Sequence, residues 1–254
     1  MSFGAVLKDW RARRRASQLD LALSSGVSAR HISFLETGRA RPSRAMALRL
    51  ARDLDVPLEA RNGWLVAAGF APLYERRDPD AEEMAMAREA VGWMIDRHDP
   101  YPGFALDRHW RILRLNPMAA RLLGAFAIGE GDSLLDAFLD HAPLREAIVN
   151  LDEVAAHTRT RLLAESRHYG GDAVLDAAIA RLDEGAVPAA ETVPPGGAFV
   201  PVRYRMDGVA LSFFSAFSHF VSAEDVALAE IRVELMFPAD EATRGALEAA
   251  LGGA

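Results

Sequence analysis

The chain of 254 residues contains no cysteine and no long hydrophobic run. The absence of cysteine excludes disulfides, thiolate nucleophiles, iron–sulfur clusters and cysteine-based zinc sites. No uninterrupted apolar stretch approaches the roughly 20 residues that a helix needs to cross a bilayer. The N-terminal residues MSFGAVLKDWRARRR place the basic cluster after the apolar residues, an order that is wrong for a secretory signal peptide. We therefore expect a cytoplasmic protein that makes no membrane contact.

The motifs of catalysis are also missing. The seven histidines are scattered, and no two of them have the i, i+4 spacing of a helical metal site. Ser215 lies in SFFSAF, which lacks the flanking glycines of a nucleophile elbow. The Pro/Gly stretch at 194–197 lacks the Lys and Ser/Thr of a phosphate-binding loop. We expect no enzyme activity, no catalytic residues, no metal site and no cofactor.

Basic residues are concentrated at one end of a chain whose net charge is −7. Residues 1–74 hold 12 Lys/Arg and 6 Asp/Glu, whereas residues 75–254 hold 17 Lys/Arg and 30 Asp/Glu. A segment whose charge opposes that of the remaining chain is suited to a polyanion. The distribution of charge, rather than its total, indicates a nucleic-acid partner for the first segment.

Serine and glycine residues divide residues 1–74 into five short helices. Ser17 is placed to cap the second helix, and Asp20 three residues later completes a capping-box arrangement. Gly26 can take the left-handed conformation that ends a helix, and Ser28 then caps the third helix. Because a tight turn joins the second and third helices, they predict a helix-turn-helix, which places its second helix in the major groove of DNA. The predicted helices begin near Phe3, Ser17, Ser28, Ser43 and Pro57.

The third helix, ARHISFLE, carries the side chains expected to read base edges. Since Ile32 and Leu35 are needed in the core, the opposite side of the helix faces the groove. Arg30 can pair with guanine in bidentate fashion, and Phe34 or Ala29 can contact a thymine methyl group. The residues expected at or beside the base edges are Ser28, Ala29, Arg30, His31, Ser33 and Phe34. The residues expected to contact phosphates are Gln18, Thr37, Arg39, Arg41 and Ser43.

The remaining chain changes its periodicity twice. Residues 75–99 are interpreted as a linker and a connecting helix, and residues 100–254 as a helix-and-strand domain. Asp207-Gly208 is typical of a two-residue hairpin turn between strands. Along the domain we predict strands at 103–107 and 110–115, helices over 117–184, a Pro/Gly-rich loop at 185–198 and three further strands near 200–206, 209–217 and 231–237. This order predicts an α+β fold with one five-stranded antiparallel sheet, after an all-α domain of five helices.

Three strings in the sequence resemble known protein families. The string SQLDLALSSGVSARHISFLETGRARPS is similar to the core signature of the Xre family, the lambda-repressor-like helix-turn-helix regulators. HDPYPGFALDRHWRILRLNPMAARLL resembles the opening of the ligand-binding domain of MmyB-like transcription regulators. FVPVRYRMDGVALSFFSAFSHF, followed by ELMFPADEAT, resembles its close. The resemblance implies a DNA-binding regulator, expected to be a repressor, with a PAS-like sensor domain whose ligands include fatty acids.

A PAS-like sensor is expected to hold its ligand between sheet and helices, in an apolar pocket. The candidate pocket residues are Trp110, Ile112, Phe213, Phe217, Leu235 and Phe237. Alternating aromatic residues on strands are more often core than pocket, so both interpretations stay open. The acidic C-terminal domain could instead dock a protein partner and bind no small molecule. Since paired operator half-sites lie about 34 Å apart, we also expect a homodimer.

Overall fold

The computed structural model describes residues 1–185, 199–206 and 208–252. Most of the predicted loop at 185–198, and Asp207 of the predicted hairpin turn, lie outside the described residues. The chain forms two compact units. The first, called the head unit here, comprises Met1–Arg77, Ala164–Ala173 and Ala223–Val226. The second, the sheet unit, comprises Asp78–Leu163, Val174–Ser222 and Ala227–Ala254.

The predicted helices and strands are present in the predicted order, and two further helices, at Val226–Glu230 and Glu241–Gly252, were not predicted. The helices up to residue 77 are α1 (Phe3–Arg13), α2 (Gln18–Ser25), α3 (Ala29–Glu36), α4 (Arg44–Asp53) and α5 (Leu58–Ala67). After a 3₁₀ turn at Glu82–Met84 come α6 (Ala85–Asp96), β1 (Gly103–Leu106), β2 (Ile112–Leu115), α7 (Pro117–Gly124), α8 (Leu134–Asp140), α9 (Ala142–Ala147), α10 (Leu151–Tyr169) and α11 (Ala173–Glu184). The last described elements are β3 (Val202–Met206), β4 (Val209–His219), α12 (Val226–Glu230), β5 (Arg232–Pro238) and α13 (Glu241–Gly252).

The capping residues predicted for α2 and α3 are confirmed. The Ser17 hydroxyl oxygen accepts a hydrogen bond from the Asp20 amide at 3.0 Å, and the Asp20 carboxylate accepts one from the Ser17 amide at 2.8 Å. Gly26 ends α2 in the left-handed conformation, with φ of 63°. Ser28 then caps α3 by accepting from the amide of His31 at 3.2 Å. These local hydrogen bonds satisfy amides that would otherwise lack a partner at each helix start.

The five helices α1 to α5 share one hydrophobic core, which holds the head unit together. Leu7, Ile32 and Leu50 are fully buried, and Trp64 of α5 meets Phe3 of α1 edge to face at 5.6 Å. Burying an aliphatic side chain of this size contributes about 1.5–3 kcal/mol. Because α3 contributes Ile32 to this core, the orientation of its opposite side is fixed by packing.

Two arginines of α1 bind backbone carbonyls within the head unit. Arg14 donates hydrogen bonds to the carbonyls of Arg167 and His168, at 3.1 and 2.9 Å, and Arg13 donates one to the carbonyl of Gly170. A side chain at position 170 would also meet Trp10, because a Cβ there would lie 2.7 Å from the indole ring. The guanidinium groups of Arg13 and Arg14 therefore attach the segment Ala164–Ala173 to α1 within the head unit.

The sheet unit contains the predicted five-stranded antiparallel sheet, in the order β2-β1-β5-β4-β3. The pairing of Met206 with Val209 closes β3 and β4 at the predicted turn, where Gly208 has φ of 80°. β5 lies in the centre, between β1 and β4. The predicted α+β class with one five-stranded antiparallel sheet is confirmed.

Strand register assigns each side chain to one of two faces of this sheet. Phe217 pairs with Glu234, and Glu234 pairs with Phe104, so these three share a face that we call the α10 face. The neighbouring residues Val233 and Leu235 point to the opposite face, where Val91 and Ile95 of α6 pack against them. We call this opposite side the α6 face.

Candidate nucleic-acid interface and ligand-binding domain

The exposed side of α3 is the centre of the candidate nucleic-acid interface. Ile32 and Leu35 are buried, whereas Arg30 is exposed, and Ser33 and Phe34 are partly exposed. The structure leaves all the predicted DNA-contacting residues outside the buried core; they are Gln18, Ser28, Ala29, Arg30, His31, Ser33, Phe34, Thr37, Arg39, Arg41 and Ser43. An eight-residue helix held by its apolar side thus offers its polar side to a partner.

Phe34 joins two of the predicted contact residues into one patch. The guanidinium carbon of Arg30 lies 5.3 Å from the centre of the Phe34 ring, and that of Arg39 lies 6.0 Å from it. A cation within about 6 Å of an aromatic ring is attracted by the electrons of the ring face. The ring therefore attracts both guanidinium groups, and a candidate base reader lies beside a candidate phosphate contact.

Two serine caps lie at the starts of the helices that flank this patch. The hydroxyl oxygens of Ser28 and Ser43 accept hydrogen bonds from the amides of His31 and Met46, each at 3.2 Å. Because a cap uses the lone pair of the oxygen, the hydroxyl proton can still be donated to an anion. Helix N-termini favour phosphate groups for the same reason that they need caps.

Thr37 is oriented differently from the two serines. Its hydroxyl donates to the carbonyl of Ser33 at 2.8 Å, within the last turn of α3. Its proton is therefore already used inside the helix, and a phosphate contact would require the side chain to rotate.

The side chain of Gln18 binds inside the head unit, a role that sequence reasoning missed. Its amide nitrogen donates to Glu36 at 2.8 Å, and Arg11 donates to both oxygens of the same carboxylate, at 2.7 and 3.1 Å. Burial alone would raise the pKa of Glu36, but the hydrogen bonds from Arg11 and Gln18 outweigh it and hold the pKa below its ordinary value. This partly buried network fixes the start of α2 against the end of α3, and leaves the backbone amides of α2 as its candidate phosphate donors.

The predicted ligand-contacting residues do not share one face of the sheet. Ile112 pairs with Leu106, and Leu106 pairs with Arg232 of β5, so Ile112 lies on the α10 face. Phe213 and Phe217 lie on that same face. Leu235 and Phe237 project to the α6 face instead, since each lies one or three residues from Glu234. Phe237 there meets the ring of His98 at 4.8 Å.

Arg161 of α10 lies between two of the predicted ligand residues, and sequence reasoning missed it. Its guanidinium carbon is 4.1 Å from the centre of the Trp110 ring and 3.9 Å from that of Phe217. Burial and the charge of Arg161 lower the pKa of His157, one turn earlier on the helix. The sequence contains no signal for this arrangement, because residues 110, 161 and 217 meet only in the folded sheet unit.

In the part of the chain that the structure describes, no group of three or more His, Asp or Glu side chains is arranged to hold a metal ion. Within the same residues, no helix combines the length and the apolarity needed to span a bilayer.

The two capped helices α2 and α3 form a helix-turn-helix, and the exposed side of α3 carries an arginine. In a chain that also holds a sheet domain, this arrangement is that of a helix-turn-helix DNA-binding transcription regulator. Comparison with family models agrees, since a helix-turn-helix family matches residues 7–60. The MmyB-like transcription regulator ligand binding domain matches residues 87–250, and the chain belongs to this family. A comparison with curated proteins finds no match. The two resemblances predicted from the sequence are confirmed.

Proposed function

We propose that the chain is a transcription repressor that binds its operator as a homodimer in the cytoplasm. We further propose that a small apolar molecule of the fatty-acid class binds the sheet unit and changes operator affinity. The observation that carries the proposal is the patch of Arg30, Phe34 and Arg39 on the exposed side of α3. Such a patch offers both a bidentate guanine reader and a phosphate contact within one turn and its following loop.

The operator half of the proposal is tested by selecting bound duplexes from a random pool and measuring affinities for the selected sequence. Arg30→Ala should weaken specific binding by about 1–3 kcal/mol and relax the base preference. Equal losses on the selected and a scrambled duplex would remove Arg30 from base readout.

Arg39 serves as the comparison within the same patch. Arg39→Ala should weaken binding to every duplex and reduce the slope of log affinity against log salt by about one. The matched control is Arg52→Ala, because Arg52 is an exposed arginine in the last turn of α4, whose first turn is capped by Ser43. Arg52→Ala should leave both the base preference and the salt slope unchanged.

Aromatic and aliphatic side chains on the α10 face support the ligand half of the proposal. Phe213 and Ile112 are buried there, and Phe217 is 45% exposed. The test is native mass spectrometry of the purified full chain, followed by operator-binding measurements with decanoate added. A carried acid, or a decanoate-dependent change in operator affinity, supports a ligand sensor. A chain that binds no apolar acid and captures a protein partner through the sheet unit would support the docking alternative.

The direction of regulation and the oligomeric state need separate measurements. Loss of a repressor should raise transcription of the genes next to selected operators, and loss of an activator should lower it. A homodimer should bind paired half-sites about 34 Å apart more tightly than a single half-site. Equal affinity for one and two half-sites would contradict the dimer.

A further inference from the structure

The outward side of α6 carries two large apolar side chains that are exposed. Val91 and Ile95 of this helix are buried against the sheet, whereas Met86 and Trp93 are 83% and 61% exposed. Because an α-helix has 3.6 residues per turn, positions 86 and 93 lie on one side, opposite the buried pair and about 10 Å apart along the axis. Single exposed apolar residues are ordinary on a protein surface, but two in line on one helix suit a partner.

The residues between and after this pair complete a regular seam. Ala90 lies between Met86 and Trp93, and Arg97 follows one turn after Trp93. The positions 86, 90, 93 and 97 are spaced by four, three and four residues, which is the spacing of a seam between two paired helices. The guanidinium carbon of Arg97 lies 4.6 Å from the centre of the Trp93 ring, so the charge at the end of the seam is attracted to the indole.

The charges on the outward side of α6 change sign along the helix. The 3₁₀ turn Glu82–Met84, which leads into α6, begins with two exposed glutamates. Glu89 is exposed in the middle of the helix, and Arg97 is exposed directly after its last residue. The seam is therefore flanked by acids at its start and ends on a cation.

Two other charged side chains of α6 are bound within the sheet unit. The carboxylate of Asp96 accepts a hydrogen bond from Arg114 at 2.7 Å. Arg88 lies four residues after the buried Met84, away from the outward side, and donates to the carbonyl of Ala81 at 2.7 Å. These two residues therefore leave the charge pattern of the outward side unchanged.

This charge pattern is complementary to itself in one orientation. A parallel copy of α6 would place Glu89 beside Glu89 and Arg97 beside Arg97, where like charges repel. An antiparallel copy, related by a two-fold axis, places the acidic start of each helix beside the basic end of the other. If Trp93 of one copy packs on the small side chain of Ala90 of the other, Arg97 lies opposite Met86 and among the glutamates that flank it.

We propose that α6 is the dimerisation helix of the chain and pairs in antiparallel orientation with α6 of a second copy. The inference rests on the proposed homodimer and names the surface that forms it. Two tryptophan side chains bury about 300–500 Å² together, compared with about 1,200–2,000 Å² for a standard stable interface. We therefore expect a weak dimer, with a Kd of about 10 µM, that high salt weakens further.

Analytical ultracentrifugation of the full chain without DNA measures this Kd. Trp93→Ala should weaken the dimer at least about thirtyfold, because the central aromatic residue is lost from both copies. Since Trp93 is 61% exposed, its replacement leaves the core of the sheet unit intact. Val221→Ala is the matched control, because Val221 is an apolar side chain that is 91% exposed outside α6. It should leave the Kd unchanged.

Charge reversal tests the orientation of the pair. Arg97→Glu and Glu89→Arg should each weaken the dimer about tenfold, because each brings like charges together. The double variant should dimerise more tightly than either single variant, a recovery that a purely structural role would not give. Arg205→Glu makes the same charge change at an exposed position on β3 and should have no effect.

Single cysteines provide a second reading of the orientation, since the chain has none of its own. In the antiparallel pair the two copies of position 90 lie about 4–5 Å apart along the axes, and those of position 86 about 16 Å apart. A short bis-maleimide should therefore link Ala90→Cys into a covalent dimer and leave Met86→Cys unlinked. Equal linking of both variants would show a parallel pair and overturn the proposed arrangement.

The outcomes separate this inference from the proposed homodimer. A dimer whose Kd is unchanged by Trp93→Ala and by both charge reversals would overturn the role of α6 while the homodimer stands. A wild type that stays monomeric at about 100 µM, tenfold above the expected Kd, would also overturn it. The affinity for paired and single operator half-sites then decides the homodimer independently.

Discussion

The predicted DNA-contacting residues of the head unit all lie within residues 18–43. In the sheet unit, the contact of Arg161 with the rings of Trp110 and Phe217 joins three residues that are distant in the sequence. In the first region, neighbours in the sequence are neighbours in space, and helix period and caps determine which side is exposed. In the second, a turn, a helix and a strand that are distant in the sequence must pack together before the three side chains meet. The comparison shows that the exposed side of a DNA-reading helix can be predicted from residues close in the sequence. The side chains that meet beside a sheet depend instead on packing between distant segments.

The largest expected effect tests the difference in burial between the two ends of the α10 face on β4. Phe213→Ala should destabilise the sheet unit by about 3–5 kcal/mol, because Phe213 is fully buried on the α10 face. Phe217→Ala removes a ring that is 45% exposed and should cost much less. Hydrogen exchange of the β4 and β5 amides measures both, with the head-unit amides as the internal reference. Equal costs for the two variants would show that the two ends of the α10 face do not differ.

A smaller effect tests the partly buried network of Arg11, Gln18 and Glu36 in the head unit. Glu36→Gln should lower the free energy of unfolding at pH 7 by about 1.5–3 kcal/mol, since Arg11 and Gln18 lose a charged partner. The pKa of Glu36 is lowered by folding, so its contribution is complete above the unfolded value of about 4.3. The contribution is then lost as pH falls through the lower, folded pKa.

Denaturant titrations of both proteins between pH 7 and pH 3 measure this difference, which should shrink at the acidic end. Glu59→Gln is the control, because Glu59 is half-exposed and its ion pair with Arg76 at 3.5 Å lies on the surface. A pair of that kind contributes about 0–1 kcal/mol. A difference for Glu36→Gln that stays constant with pH would contradict a role for its charge.

The smallest effect tests whether Ser43 only caps α4 or also contacts a DNA phosphate. Ser43→Ala should destabilise the head unit by about 1 kcal/mol and also weaken DNA binding. Ser43→Asp retains a capping oxygen but places a negative charge where a phosphate is proposed to lie. It should therefore keep the stability and lose affinity, most strongly at low salt. Unchanged affinity in both variants would show that Ser43 only caps α4.

Much of the fold was predictable because its signals are local. Ser17, Gly26 and Ser28 mark the ends of α2 and α3, and the structure confirms the three roles. The antiparallel pairing of β3 with β4 and the five-stranded sheet follow from alternation of apolar residues and a turn dipeptide. Such patterns concern residues a few positions apart, where backbone geometry limits the alternatives.

Other features needed contacts that no local pattern describes. The side chain of Gln18 turns inward to Glu36, so its amide group is occupied within the head unit. Leu235 and Phe237 lie on the α6 face, away from Phe213 and Phe217, although all four alternate on predicted strands. Alternation identifies two faces of a strand, but only pairing with the neighbouring strand shows which residues on different strands meet.

By itself, the sequence determined a basic, serine-capped helix-turn-helix with an exposed Arg30, and an antiparallel sheet domain after it. These follow from helix caps, residue periodicity and charge, which act over one or two turns of chain. The tertiary structure alone decided that Arg161 stacks between Trp110 and Phe217 near Glu234. The physical reason is that the turn at Trp110, the helix α10 and the strand β4 lie more than 50 positions apart, so they must first pack together before these side chains can interact.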